Sequence, residues 1–95
     1  MTEQQSQAGA SPKVEIYTKY GCPYCHRAVA LLNKKNVAFE EYDISGGGPR
    51  RDEMQSRRPD ARTVPQIFID DQPVGGSDEL MALESSGKLD ALLGR

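Results

Sequence analysis

The chain has no tryptophan, a single histidine, two cysteines and no apolar run of more than a few residues. Stretches such as Ile67-Phe68-Ile69 fall far short of the roughly 20 apolar residues that cross a bilayer, so no membrane span is expected. A secreted domain of this size held by disulfides carries about four to eight cysteines. Two cysteines three positions apart read instead as a chemical pair, and as belonging to the cytoplasm. With 12 Lys and Arg against 14 Asp and Glu, the formal net charge is -2, and no basic stretch points to nucleic acid. Ninety-five residues suffice for one domain around one core and are too few for two. Nothing in the composition calls for an oligomer, and a monomer is expected.

The segment Met1 to Ser11 is small and polar, with one charge at Glu3, no Arg and no apolar stretch. It has the composition of neither a secretory signal nor a transit peptide. The expectation is a flexible tail over 1-11 and a domain over 12-95.

Apolar and polar residues alternate through Val14-Glu15-Ile16-Tyr17, the pattern of a short strand that ends in the Thr18-Lys19-Tyr20-Gly21 loop. Pro23 suits a first helical turn. Cys25, Ala28, Val29, Leu31 and Leu32 then form an apolar stripe at helical spacing, closed by Lys34, Lys35 and Asn36. A second strand is expected over Val37 to Tyr42, parallel to the first because a helix joins them. Ser45-Gly46-Gly47-Gly48 reads as a linker, since it lacks the Gly-Lys-Ser/Thr ending of a phosphate loop. Pro49 to Arg58 reads as a short helix whose arginines form a solvated face. Gln66 to Ile69 is a third strand, and Pro73-Val74-Gly75 an edge strand, because proline cannot donate to a ladder. Ser77 is expected to cap a helix over Asp78 to Ser86, with Gly87 as its stop and a helical piece at Lys88 to Leu93. The order βαβαββα predicts an α/β fold with a mixed four-stranded sheet and helices on both faces.

The chemistry centres on Cys22-Pro23-Tyr24-Cys25. A thiol reacts as its thiolate, and a helix start directs free N–H groups and the positive end of the dipole at a sulfur placed there. Cys22 has that position, and Cys25 lies one turn further in, nearer the core. The spacing supplies an attacking and a resolving thiol. A closed zinc site needs four ligands, whereas the chain offers two cysteines and His26, so no metal is expected. Consecutive helical residues face different ways, which makes His26 a surface residue and not a base for its neighbour.

The stretch from Val14 to Ala28 resembles the active-site segment of bacterial dithiol glutaredoxins. Thr63-Val64-Pro65-Gln66-Ile67-Phe68-Ile69 is similar to that family's cis-proline segment, and Gly75-Gly76-Ser77-Asp78-Glu79-Leu80 to its glutathione-binding turn. The resemblance implies the thioredoxin fold and glutathione-linked reduction of protein disulfides and protein–glutathione mixed disulfides. Glutathione would be the reducing co-substrate, regenerated by glutathione reductase. It implies Cys22 and Cys25 as the catalytic pair, and Thr63, Val64 and a cis Pro65 as the edge that receives the cysteinyl unit. Gly76, Ser77 and Asp78 would hold the γ-glutamyl carboxylate and ammonium at a helix start. Lys19 would face the glycyl carboxylate, and Tyr24 would flank the sulfur. Two other functions fit a chain of this kind. A dithiol donor fed by a flavoprotein reductase is disfavoured by the missing Trp that usually precedes a thioredoxin's Cys-Gly-Pro-Cys. A glutathione-ligated [2Fe–2S] scaffold is disfavoured by Pro23, which in the family accompanies redox catalysis.

Overall fold

The computed structural model describes residues 12-95, so the expected tail over 1-11 lies outside the described residues. The strands are β1 (Val14–Thr18), β2 (Glu40–Asp43), β3 (Gln66–Ile69) and β4 (Gln72–Gly75); the helices are α1 (Pro23–Lys34), α2 (Pro49–Arg57), α3 (Ser77–Ser85) and α4 (Lys88–Leu92). They form one four-stranded sheet in the order β2-β1-β3-β4. β1 runs parallel to β2, with Ile16 opposite Glu41, and antiparallel to β3, with Ile16 opposite Ile67. β4 pairs antiparallel with β3 and occupies the edge, where Pro73 is tolerated.

The two-residue period of the strands sorts their side chains onto two faces. Val14, Ile16, Ile67 and Ile69 point to one face and pack with Ala28 and Leu32 of α1, Leu80 of α3, Leu89 of α4 and Leu93. Tyr17 and Phe68 point to the other, where Ile44, just after β2, and Met54 of α2 cover them. Helices therefore flank both faces, and the thioredoxin-type architecture expected from the sequence is present.

Three local details differ from expectation. The second strand begins at Glu40, not Val37; Val37 and Phe39 pack against the core from the connection instead. Glu15 is not the solvent-facing member of an alternating strand, because all five residues of β1 are buried and Glu15 is only 3% exposed. A central strand with helices over both faces has no wet side. Ser77 is the first residue of α3 and Gly76 its cap; the carboxylate of Glu79 accepts the Gly76 N–H at 2.8 Å, in the role a capping side chain would fill from the other direction. Gly75 has φ +113°, and a Cβ there would lie 2.9 Å from Glu79 Cγ, so this turn closes only around glycine. At the far end of α1, Asn36 at φ +57° stops the helix in the left-handed region.

Candidate functional site

Cys22 is the N-cap of α1, with extended backbone (φ -92°, ψ 111°), and its sulfur accepts the Cys25 N–H at 3.3 Å. Pro23 begins the helix, where a missing N–H leaves no bond unmade. The sulfur thus stands where a Ser or Asp oxygen caps other helices, facing free N–H groups and the positive end of the dipole. The Cys22 thiol also lies 3.8 Å from the carbonyl oxygen of Val64, to which it donates. Cys22 is half-buried and Cys25 buried, and both are free thiols. Burial, reinforced by the hydrogen bond to Cys22, pushes the Cys25 thiol up to about 12. Cys25 therefore keeps its proton at neutral pH, and the pair is chemically unequal.

The Val64–Pro65 bond is cis, and Pro65 is buried at the start of β3. The Thr63-Val64-Pro65 segment lies beside Cys22 and shares a groove with the start of α3. Tyr24, Thr63, Val64, Pro65, Gly76, Ser77 and Asp78 together line one groove of about 270 Å³. All the expected binding residues except Lys19 meet there. At the α3 end of the groove, the N–H groups of Ser77 and Asp78 have no intrahelical acceptor, since they belong to the first turn. Ser77 is buried, and its Oγ has no hydrogen-bond partner among the described residues.

Lys19 opens onto a smaller neighbouring pocket of about 50 Å³, shared with Arg51, Gln55 and Arg62 and joined to the groove through Thr63 and Val64. Three cations thus line the pocket that adjoins the groove at Thr63 and Val64. Sequence reasoning missed Arg51, Gln55 and Arg62, having assigned the α2 arginines to a solvated face. The spacing of Arg51 and Gln55, four apart on one helical face, carried the signal. Glu79, the eighth wall of the groove, was also missed; it stands three residues after the capping Gly76, the position from which a Glu reaches back to a helix start. A larger apolar cavity of about 600 Å³ lies between β4, α3 and α4, and reaches the groove only at Glu79. It contains neither cysteine and none of Thr63, Val64 and Pro65, so volume does not locate the chemistry here. Among the described residues, no group of three or more His, Cys, Asp and Glu side chains is arranged to hold a metal, and no helix is long and apolar enough to cross a membrane.

Residues 14-74 match the glutaredoxin family model. The chain belongs to the glutaredoxin family. It is 58% identical over 80 residues to glutaredoxin 3 of Escherichia coli strain K12, which covers 84% of this chain and 95% of that one. The solution structure of the glutaredoxin from Brucella melitensis superposes with a TM-score of 0.77 at 52% identity, over 90% of this chain and 92% of that one. The structure of a buckwheat glutaredoxin–glutathione complex superposes with a TM-score of 0.75 at 25% identity, over 93% and 83% of the two chains. As a glutaredoxin, the chain is a thiol–disulfide oxidoreductase, and glutathione is the general co-substrate of its family.

Proposed function

We propose that this glutaredoxin uses glutathione to reduce protein disulfides and protein–glutathione mixed disulfides, with Cys22 as nucleophile and Cys25 as resolving thiol. The inequality of the two sulfurs carries the reading: Cys22 is accessible at a helix start beside the groove, whereas Cys25 is buried and holds its proton. With a glutathionylated protein, the Cys22 thiolate attacks the glutathione sulfur and the protein thiolate leaves. A second glutathione thiolate then attacks the Cys22 mixed disulfide, releasing oxidised glutathione and restoring Cys22. With a protein disulfide, Cys22 attacks one sulfur. Cys25 gives up its proton as it displaces the substrate's thiol, closing a Cys22–Cys25 disulfide that two glutathione molecules later reduce. Glutathione reductase regenerates the co-substrate, so it serves the protein indirectly.

In this reading the tripeptide lies extended along the groove. Val64, between Thr63 and Pro65, offers its backbone to the cysteinyl unit as a sheet edge does to a peptide. The nearness of the Val64 carbonyl to the Cys22 sulfur, 3.8 Å, supports this reading. The amides of Ser77 and Asp78, next to Gly76, hold the γ-glutamyl carboxylate, and the Asp78 carboxylate meets the ammonium. Lys19, supported by Arg51 and Arg62, faces the glycyl carboxylate, and Tyr24 flanks the sulfur. The reading places the protein in the cytoplasm, which its sparing cysteine use supports, and takes it to act as a monomer.

The test is a coupled assay with a small glutathione mixed disulfide, glutathione and glutathione reductase. Cys22→Ser is expected to abolish all turnover, while Cys25→Ser retains turnover of the small mixed disulfide and loses most reduction of protein disulfides. Alkylation at pH 8 is expected to label Cys22 and spare Cys25, whose proton is held up to about 12. Equal loss in the two serine variants, or turnover only with a flavoprotein reductase in place of glutathione, overturns the assignment.

A further inference from the structure

Three large apolar side chains stand exposed among the described residues: Tyr20 at 92%, Tyr24 at 54% and Leu92 at 45%. Two of the three flank Cys22, each two residues away. Tyr24 is a wall of the groove, but Tyr20 belongs neither to the groove nor to the Lys19 pocket. The ring of Tyr20 is also not what holds its own loop. The loop is tied to the turn after β2 by the Tyr20 N–H to Ser45 Oγ at 2.7 Å and the Ile44 N–H to the Thr18 carbonyl at 2.8 Å, and that turn is held by the Ser45 N–H to Asp43 Oδ1 at 2.8 Å. An aromatic ring is thus presented to solvent from a tethered loop at the mouth of a reactive thiol, with no structural task of its own.

Covalent geometry limits how far a bound polypeptide can lie from that ring. In a mixed disulfide the two cysteine Cα atoms lie about 4.4–6.8 Å apart. Tyr20 and Cys22 are two residues apart, at most about 7 Å between Cα atoms. A polypeptide joined to Cys22 therefore has its cysteine Cα within roughly 14 Å of the Tyr20 Cα, close enough for a flanking side chain to meet the ring. Tyrosine offers large contact area at small conformational cost, which is why it anchors interfaces. The groove lies on the Thr63 and Asp78 side of Cys22, so a small glutathione disulfide has no call on Tyr20. The exposed guanidinium of Arg27, 5.4 Å from the Tyr24 ring centroid, adds positive charge to the same rim.

We infer that Tyr20 is a specificity residue for the polypeptide part of a protein disulfide, taking the apolar side chain beside the substrate's cysteine. The inference rests on the oxidoreductase reading above and adds the partner's chemistry to it. The probes are two short cyclic peptides, each closed by one disulfide and differing only in Phe or Ser beside one cysteine, assayed with glutathione and glutathione reductase. The wild-type protein is expected to favour the Phe peptide by about fivefold in kcat/KM. Tyr20→Ala is expected to remove that preference and leave kcat/KM for the small glutathione mixed disulfide unchanged, while Tyr20→Phe retains the preference. No preference in the wild-type protein, an undiminished preference in Tyr20→Ala, or an equal fall on peptide and small disulfide each overturns it. Inactivity of the wild-type protein on the small mixed disulfide would instead contradict the glutathione reading itself, so the two failures are distinguishable.

Discussion

The two faces of the sheet are built by different physics. On the side of α1, α3 and α4, aliphatic side chains interlock around Ile16, Ile67 and Leu80, and the charged pairs of this side, Lys35 with Glu84 and with Asp90, tie the helices together beside that cluster. On the side of α2, only Met54 of the nine helical residues is buried, and polar contacts seat the rest of the helix. Arg57 donates to Glu15 at 3.0 Å, to Tyr17 Oη at 2.9 Å and to Asp71 at 3.2 Å, with its guanidinium 3.8 Å from the Phe68 ring centroid. Tyr17 donates to Glu53 at 2.5 Å, Arg50 donates to Glu53 at 3.0 Å and Tyr42 donates to Glu15 at 3.0 Å. Apolar packing needs only shape and volume, so its parts are partly interchangeable. The charged face sets direction as well: residues 50, 53 and 57 point α2 at β1, leaving Arg51 and Gln55 on the side of the Lys19 pocket. What it gains in orientation it loses in tolerance, because removing one partner strands another in the interior.

That contrast can be broken most directly on the apolar face. Leu80→Ala, at a fully buried position, is expected to cost about 3 kcal/mol and to lower Tm by more than about 10 °C, read by thermal melting. Arg57→Met on the opposite face is expected to cost about 2 kcal/mol, since it leaves Glu15 buried without its cation. The sharper test is non-additivity: adding Glu15→Gln to Arg57→Met is expected to restore part of the loss, whereas Leu80→Ala combined with Glu15→Gln gives simple addition.

Acid separates the faces without mutation. Burial raises the Glu15 carboxyl, but hydrogen bonds from Arg57 and Tyr42 and the charges of Arg57 and Lys13 together hold it below its ordinary 4.5. The hydrogen bond from Tyr17, with Arg50 beside it, lowers Glu53 as well. Folding thus lowers both pKa values, and between the folded and unfolded values the unfolded chain binds more protons. Their contribution is complete above about pH 4.5 and is lost as pH falls through the folded values. Glu15→Gln is expected to flatten the fall of Tm below pH 4.5, and Leu80→Ala to shift the whole curve down without changing its slope. The smallest effect belongs to the site at the sheet's end: Asp78→Ala is expected to weaken use of glutathione by about 1 kcal/mol, a several-fold rise in KM, with Cys22 alkylation unchanged.

Local signals in the sequence were enough for most elements and for both sulfurs. Pro23 and the stripe from Cys25 to Leu32 define α1 by themselves, and with it the placement of Cys22 at a helix start, because a helix start is a property of a few consecutive residues. Gln66 to Ile69 and the edge role of Pro73 were legible for the same reason. Glu15 was not, since an acidic residue in an alternating strand looks solvent-facing until a second helix covers that side and supplies Arg57 from 42 positions away. The Lys19 pocket joins β1's loop, α2 and the 58-63 connection, so its three cations share no sequence neighbourhood. The sequence by itself determined the strand and helix order, the place of Cys22 at a helix start with Cys25 one turn further in, and, through its resemblance, the three segments that line the groove. Only the tertiary structure decided that Arg51 and Arg62 stand beside Lys19, that Arg57 faces inward and that Cys25 keeps its proton, because burial and long-range pairing depend on what the rest of the chain brings near.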